Sequence, residues 1–567
     1  MKIFKSLAQF ISANSIWMLI LVYVYVRSFY WNLLPIWDGM LHYSTLLNAI
    51  ESPFDILNYS RDGHICEGFL LFMGMPYLLY RDSYYAFNIW MTLFSVGCIV
   101  GFYNLLLFFL NGRLRNIEVV LITALFAFHP SVLSGMTHFT LDMGVLTFFI
   151  LYWVMLLNGK RFMAFLFVFL LLFTKETAML LVPLPFLFCW LIKPSSGKGY
   201  WLKEITKYFY LNSKETDGNV KPFQVWFRSL FNPLSERMQW LKKNCLILII
   251  PYLFLGLFML YKMLIRHQPA MWDHLNSDAV LFDYFNSDRK FINYLGLIFI
   301  INFNWVLTLL WIILLLLLMK KRKSLNDSFQ TKLSKLFILF FLTGSVVLTL
   351  VVSWSNARYV MLLIPCMLLA IGQLASVLIP SSFVRISVVL LLLIVLGFED
   401  VRTIDPVSKA FFGTINFGRH QLINTCQRTD EDPIEYGRDQ LVYNLEYLKF
   451  RQILNKIFID IRPSQNTCFV LAPMSSCTDW TTISSLDSNY MMTYKGNNLV
   501  TPKIATIYNV FKLPDLPKDV YFIELPFAKN SDLIEALNKS FPLNASKIYD
   551  NDGYQINVIH YKRISSI

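Results

Sequence analysis

Between Ile16 and Phe398 the chain is a succession of long apolar runs broken by short charged stretches. A helix needs about 20 mostly apolar residues to cross a bilayer, and Ile16–Leu34, Tyr84–Leu110 and Cys245–Ile265 each meet that length. Such runs leave few choices. Buried in lipid, the backbone must satisfy its own hydrogen bonds, so they fold as helices packed into a bundle. Composition agrees: 15% of the 567 residues are charged and 56% hydrophobic, against about 25% charged in soluble domains. The formal charge of +13 does not point to nucleic acid, because the basic residues cluster in the loops between apolar runs, as the positive-inside rule expects. No cleavable leader is evident, since the first apolar run is too long and lacks a small-residue cleavage site.

The basic loops fix the expected topology. Lys2 and Lys5, Arg113 and Arg115, Lys160 and Arg161, the 193–243 loop and Lys320–Lys323 mark one side, read as cytoplasmic. Ile117–Leu157 lies between two basic loops and must turn back on the opposite side. The turn falls at the polar patch from His129-Pro130 to Asp142. Phe162–Trp190 must turn at Thr174-Lys175-Glu176-Thr177 by the same logic. Phe291–Met319, Leu336–Val352, Tyr359–Ile379 and Val384–Phe398 complete eleven crossings or half-inserted helices. The expected fold is an all-α polytopic membrane bundle over residues 1–398 with an extracytoplasmic α/β domain over 399–567. In that tail, short strand-like runs (Cys468–Leu471, Val520–Leu525, Ile556–Tyr561) alternate with polar helical stretches such as Leu441–Ile459. Eight cysteines are scattered; Cys468 and Cys477 could pair if the tail is extracytoplasmic, and no Cys/His spacing suggests zinc.

This topology gathers ionisable residues on the non-basic face: Asp38, His42, Arg61 and Glu67 in the first loop, His129, His138 and Asp142 at the second turn, Lys175 and Glu176 at the third, and Arg358 late in the chain. Charge near the membrane is costly unless it is paired, hydrated or functional. Asp38 and His42 share a helix face at four-residue spacing. Asp142 opens an apolar helix, where a carboxylate either caps the helix or orients a substrate. Lys175 and Glu176 interrupt an apolar stretch and either close the turn as an ion pair or reach a carboxylate and a substrate. An arginine at Arg358 suits a phosphate, gripped with two parallel hydrogen bonds, or snorkels to headgroups. The histidines are too widely spread to define a metal site.

In this order the motifs resemble the C-type (GT-C) glycosyltransferase superfamily, nearest to its lipid-phosphosugar branch of protein O-mannosyltransferases and lipid A aminoarabinose transferases. Trp37-Asp38-Gly39 with His42 matches an acidic residue after the first helix. His129-Pro130 with Asp142 matches a second aspartate opening a short helix. Phe173-Thr174-Lys175-Glu176 looks like the family's polar break between its short helices, and Asn356-Ala357-Arg358-Tyr359 followed by Pro365 looks like its late Arg-Tyr…Pro motif. The acidic pair of the mannosyltransferases stands here as Asp38-Gly39, which leaves the second carboxylate role to Asp142 or Glu67. A further stretch, Phe398–Arg402 with Asp405–Ser408, looks motif-like without a mechanism.

The resemblance implies a sugar donor on a polyprenyl phosphate and an acceptor that is a glycan, a lipid or a protein. It implies Asp38 and Asp142 as catalytic residues, with Asp38 as general base in an inverting displacement. His42, Arg61, Glu67, His138, Lys175, Glu176 and Arg358 would bind substrate, Lys175 and Arg358 neutralising the leaving phosphate. No cofactor is implied and a lipid monophosphate leaving group needs no metal, though a divalent ion is left open. The implied place is a bacterial inner membrane with the site in the periplasm. Two rivals stand beside this reading: a polymerase or ligase using a lipid diphosphate donor, and a lipid-linked sugar transporter or flippase.

Overall fold

The computed structural model describes residues 2–31, 65–78, 84–110, 112–137, 139–192, 234–266, 296–321, 361–401, 405–417, 420–423, 467–471, 503–506, 519–524, 531–551 and 554–562, with single positions within 39–46 and 453–461. Asp38, Arg61, His138, Arg358 and the expected span Leu336–Val352 lie outside the described residues, as does Cys477.

The apolar runs fold as helices. α1 (Lys2–Ser28) starts in the basic leader and stops before the expected end at Leu34; the chain turns there as the Tyr30 and Trp31 amides bond to Arg27 and Ser28 carbonyls. α2 (Glu67–Gly74) runs on into a 3-10 turn, Met75–Leu78, followed by α3 (Tyr84–Leu110). The predicted turn at His129-Pro130 is a 60° bend between α4 (Asn116–Ala127) and α5 (Pro130–Thr137), and α6 (Leu141–Leu157) returns from it. α7 (Arg161–Leu172), the short α8 (Ala178–Leu181) and α9 (Pro183–Ile192) flank the turn at Thr174–Thr177. After α10 (Leu234–Asn244) come α11 (Leu246–Arg266), a π-helical turn (Leu297–Asn302), α12 (Trp305–Lys321), α13 (Leu363–Leu378) and α14 (Ser382–Val401).

Among the described residues three helices are long and apolar enough to cross a membrane, four if the bent pair counts as one, by length and composition. α11 and α14 also turn apolar faces outward, with Leu253, Phe254, Leu257, Leu391 and Ile394 all exposed. Faces of that kind are stable against lipid and costly against water. The chain is therefore built as an integral membrane protein.

Contacts sort the helix ends into two groups. At the basic end, Asn116 donates to Ser15 of α1 (3.1 Å) and accepts from Tyr103 of α3 (2.6 Å). Arg385 at the start of α14 pairs with Glu118 of α4 at 2.7 Å. The other end brings together the ends of α1, α7, α11 and α14 with the starts of α2 and α6. The motif Phe398–Ser408 acquires a role at this end. Glu399 is buried and accepts from Asn304 Nδ2. Asn304 sits in the left-handed region (φ 66°), which asparagine tolerates better than most residues, and its Oδ1 accepts from the Val306 amide at 2.8 Å, starting α12. Asp405 then caps α15 (Pro406–Phe412), accepting from the Val407 and Ser408 amides.

Beyond α15, β1 (Thr414–Phe417) and β2 (His420–Ile423) form an antiparallel pair. A five-stranded mixed sheet follows in the order β4-β3-β5-β7-β6. Its strands are β3 (Thr467–Leu471), β4 (Lys503–Thr506), β5 (Asp519–Glu524), β6 (Leu543–Asn551) and β7 (Tyr554–Lys562), with α16 (Ser531–Ser540) between β5 and β6. β3 pairs parallel with β4 and β5, while β7 pairs antiparallel with β5 and β6. The three strand-like runs of the sequence are β3, β5 and β7.

Candidate active site

The site forms where the start of α6 meets the end of α7. Asp142 lies in the first turn of α6, after Thr140 as N-cap. Unpaired amide groups at a helix start favour a carboxylate there. Lys175 reaches it from the turn after α7, its ammonium donating to Asp142 Oδ1 at 2.6 Å. Both side chains are nearly withdrawn from solvent, 7% exposed for Lys175 and 11% for Asp142. The partner of Lys175 is thus a carboxylate 33 residues away in sequence, one of the alternatives its position allowed. Thr174 holds the turn by donating to the Leu170 carbonyl at 2.6 Å. Glu176, next along, is half-buried.

A second ion pair stands beside the first. Glu67 starts α2; its Oε2 accepts from the Cys66 amide at 3.0 Å, and its Oε1 accepts from the ammonium of Lys262, near the end of α11. Glu67 is 5% exposed and Lys262 12%. Lys262 also lies over the Phe258 ring at 4.7 Å, a cation–π contact.

Close backbone approach joins the two pairs. The Gly68 amide, next to Glu67, donates to the Phe173 carbonyl at 2.8 Å, two residues before Lys175. Gly144, two residues along α6 from Asp142, faces both Phe69 and Thr174. A Cβ added there would come within 2.6 Å of the Phe69 ring and 2.9 Å of Thr174 Cγ2. Only a residue without a side chain lets α2, α6 and the α7 turn converge at this spacing.

Phe139 connects this pair of ion pairs to the first loop. Its ring stacks on Phe69 (centroids 5.3 Å) and meets Phe87 (5.0 Å), Tyr43 (6.5 Å) and His42 (6.4 Å) edge-on. A Cβ at Gly39 would lie 3.1 Å from the Phe139 carbonyl oxygen. Residues 39, 42, 43 and 46 are helical, and Gly39 and His42 both meet Phe139, three residues before Asp142.

Of the residues read from sequence, the structure brings Glu67, Asp142 and Lys175 into two neighbouring ion pairs, with Glu176 next to Lys175 in the turn and His42 against Phe139, three residues before Asp142. His129 has a local task, its Nδ1 accepting from the Ser131 amide at 3.3 Å at the start of α5. Lys262 was not singled out by the sequence reading. Its signal was present: it is the one charge between Leu246 and Ile265, and a lone intramembrane cation points to a partner. Among the described residues no group of three His, Cys, Asp or Glu side chains gathers to hold a metal ion.

No family model matches the chain, and neither does any curated protein. Its structure neighbours include two crystal structures of ArnT from Cupriavidus metallidurans. The form bound to undecaprenyl phosphate is similar with a TM-score of 0.49 and 11% identity, covering 96% of this chain and 98% of that one. The apo form gives 0.44 with the same identity and coverage. Likenesses at this level assign no activity.

Proposed function

We propose that the chain transfers a sugar from a polyprenyl-phosphate donor to an acceptor, at the bundle end that holds Asp142, Lys175, Glu67 and Lys262. The observation that carries this reading is the pairing of two buried carboxylates with two lysines, side by side, in a bundle whose flanking helix α11 faces lipid. A phosphosugar on a lipid brings one negative phosphate from the membrane side, and ammonium groups held near the lipid boundary suit it. Each carboxylate accepts from its lysine across a helix junction, so the pair is fixed in place, as an orienting group must be.

In this reading Asp38 takes the proton from the acceptor hydroxyl as its oxygen attacks the anomeric carbon. The bond from that carbon to the phosphate oxygen breaks, and the lipid phosphate leaves. Lys175 and Arg358, joined by Lys262, offset its charge, an electrostatic effect often worth several kcal/mol. Asp142 holds Lys175 in place. The reading puts the site on the periplasmic side of a bacterial inner membrane, opposite the basic loops.

The test is a paired transfer assay. Wild type and Asp38→Asn, purified in detergent, are given polyprenyl-phosphate sugars and followed for free polyprenyl phosphate. Release by wild type and none by an equally folded mutant is the expected result. Equal release by both removes Asp38 from the chemistry. No release by either, with every monophosphate donor tried, sinks the reading in favour of a diphosphate donor or a transporter.

A further inference from the structure

Arg27 ends α1 on the side of the bundle that holds Asp142 and Lys175. Among the described residues it is the most deeply buried charge, 0% exposed, where Glu118 keeps 2% and Glu399 3%. A guanidinium withdrawn this far from water is costly unless its surroundings answer the charge. Tyr23, one turn back on α1, turns its hydroxyl to Arg27, to Ser95 of α3 and to Met136 of α5, the last at 3.4 Å. Asp400, buried at the end of α14, answers from another side: its charge and that of Arg27 both reach Tyr30. Arg27 thus ties the end of α1 to three other helices.

What the chain does next gives that tie a purpose. The Arg27 carbonyl accepts from the Tyr30 amide at 3.0 Å and the Ser28 carbonyl from the Trp31 amide at 3.4 Å, which closes α1 with a turn. The Trp31 indole then donates to Thr92 of α3 at 2.9 Å, and the Thr92 hydroxyl is itself held by the Asn88 carbonyl at 2.8 Å. The next fixed point is Gly39, against the Phe139 carbonyl. Trp31 and Gly39 bracket Asp38 in sequence. One bracket is set by packing on Phe139, and the other takes its direction from the end of α1. Wholly buried, Arg27 has no surface to offer a substrate, so any effect on chemistry passes through the loop it starts.

We propose that Arg27 is the positioning residue of the first loop: it fixes the direction in which the chain leaves α1 and, through Trp31, the placement of Asp38. The inference rests on the transfer reading above for what Asp38 does, whereas the hold on the loop is independent of the chemistry. Asp400 is the other half of the device. The motif around Phe398 then has two tasks, Glu399 fastening Asn304 and Asp400 steadying the outlet of α1.

The experiment reads the full chain in detergent twice, by amide hydrogen exchange and by transfer kinetics with polyprenyl-phosphate sugars. In Arg27→Met, exchange across residues 28–46 should speed up while α3 and α6 keep their wild-type protection. The kcat should fall by about tenfold to a hundredfold, the scale of a displacement of roughly 1 Å at a reacting centre. The KM for the donor should hold, because Lys175 and Lys262 are untouched. Arg27→Lys, which keeps the charge, should recover most of kcat. Wild-type exchange and rate in Arg27→Met overturn the proposal. So does protection lost evenly through the bundle, which marks a merely structural role, or a raised KM at unchanged kcat, which marks a binding one. Should Arg27→Met fail to fold, Arg27→Met/Asp400→Asn, which removes both charges, takes its place with the same expected results. If wild type itself releases no polyprenyl phosphate, the transfer reading falls, and exchange alone then decides the hold on the loop: an unchanged pattern refutes that too.

Discussion

The two ends of the bundle both bury ion pairs, and they use them differently. At the basic end Arg385 spreads its guanidinium over three acceptors, Glu118 Oε1 and the carbonyls of Ile379 and Pro380. Glu118 in turn accepts from the Arg115 amide at 2.6 Å. A planar fork filled in this way fixes geometry. At the other end the cations are lysines, compact charges on flexible stems, each donating to a carboxylate across a helix junction. A lysine can trade one anion for another without dismantling a backbone turn. On the proposed reading the difference separates a fastening from a site, although both consist of an acid and a base in apolar surroundings.

Neutralising each pair should break the comparison if it is wrong, and this is where the largest effect is expected. Asp142→Asn/Lys175→Met should lower transfer by about 10²- to 10³-fold, the scale of losing a preorganised charge at a reacting centre. Its stability should hold, because replacing both members of a buried pair is often neutral. Glu118→Gln/Arg385→Met should do the reverse. Transfer stays near wild type, while Tm falls because two backbone carbonyls lose their donor. Arg385→Met alone, which leaves Glu118 charged and buried, should cost about 3–5 kcal/mol. A basic-end double mutant that abolishes transfer while remaining folded would end the distinction.

What the sequence revealed follows the range of the interactions. The α4–α5 bend was legible because Pro130 and the polar residues around it interrupt an apolar run locally. The turn at Lys175 was legible because two charges break such a run. β3, β5 and β7 were legible from their β-branched and aromatic residues, but the parallel pairing of β3 with β5 was not, since strand order depends on contacts about 50 residues apart. Glu118 and Arg385 are 267 residues apart, and each alone reads as a topological marker. Lys262 was missed for a related reason. A lone cation in an apolar run signals a partner, but that the partner is Glu67, 195 residues earlier, was not legible. Phe139, which joins the first loop to α6, has no sequence signature among 50 phenylalanines.

Two glycines sharpen the comparison at the level of packing. A methyl at Gly144 would press on the Phe69 ring and Thr174 at under 3.0 Å, moving α2 and the Lys175 turn apart. Gly144→Ala should cost about tenfold to a hundredfold in transfer, the scale of a displacement of roughly 1 Å at a reacting centre. At the basic end, a Cβ on Gly372 would meet Ile122 at 3.4 Å and Leu110 at 3.6 Å, ordinary contact. Gly372→Ala should leave transfer unchanged and hold or slightly raise Tm, since alanine is the better helix former. Kinetics and unfolding of the two variants, measured side by side, check both. Equal losses of transfer would mean that the whole bundle, not the site end, is sensitive to spacing.

The smallest expected effect lies outside the bundle, where the same chemistry operates in water. Lys547 of β6 donates to Asp460 at 2.9 Å, with both side chains more than a third exposed. Its hydrogen bond holds the Asp460 carboxyl below the ordinary value of 3.8, and the same bond raises Lys547 above 10.5. The unfolded carboxyl therefore takes up a proton at higher pH than the folded one, so the pair's contribution is lost as pH falls below the ordinary carboxylate range. The unfolded ammonium gives up its proton first at the alkaline side, so the contribution also fades as pH rises past 10.5. Between those limits it is constant and slight, as for exposed pairs in general. Asp460→Asn should therefore leave stability at neutral pH almost unchanged and remove the pair's share of both the acid and the alkaline limb of the curve of Tm against pH. A large loss at neutral pH would show that the pair pins the helical residues around 457 to the sheet more firmly than an exposed pair can. The contrast between buried pairs in the bundle and exposed ones in the tail would then have to be drawn on contacts instead of solvation.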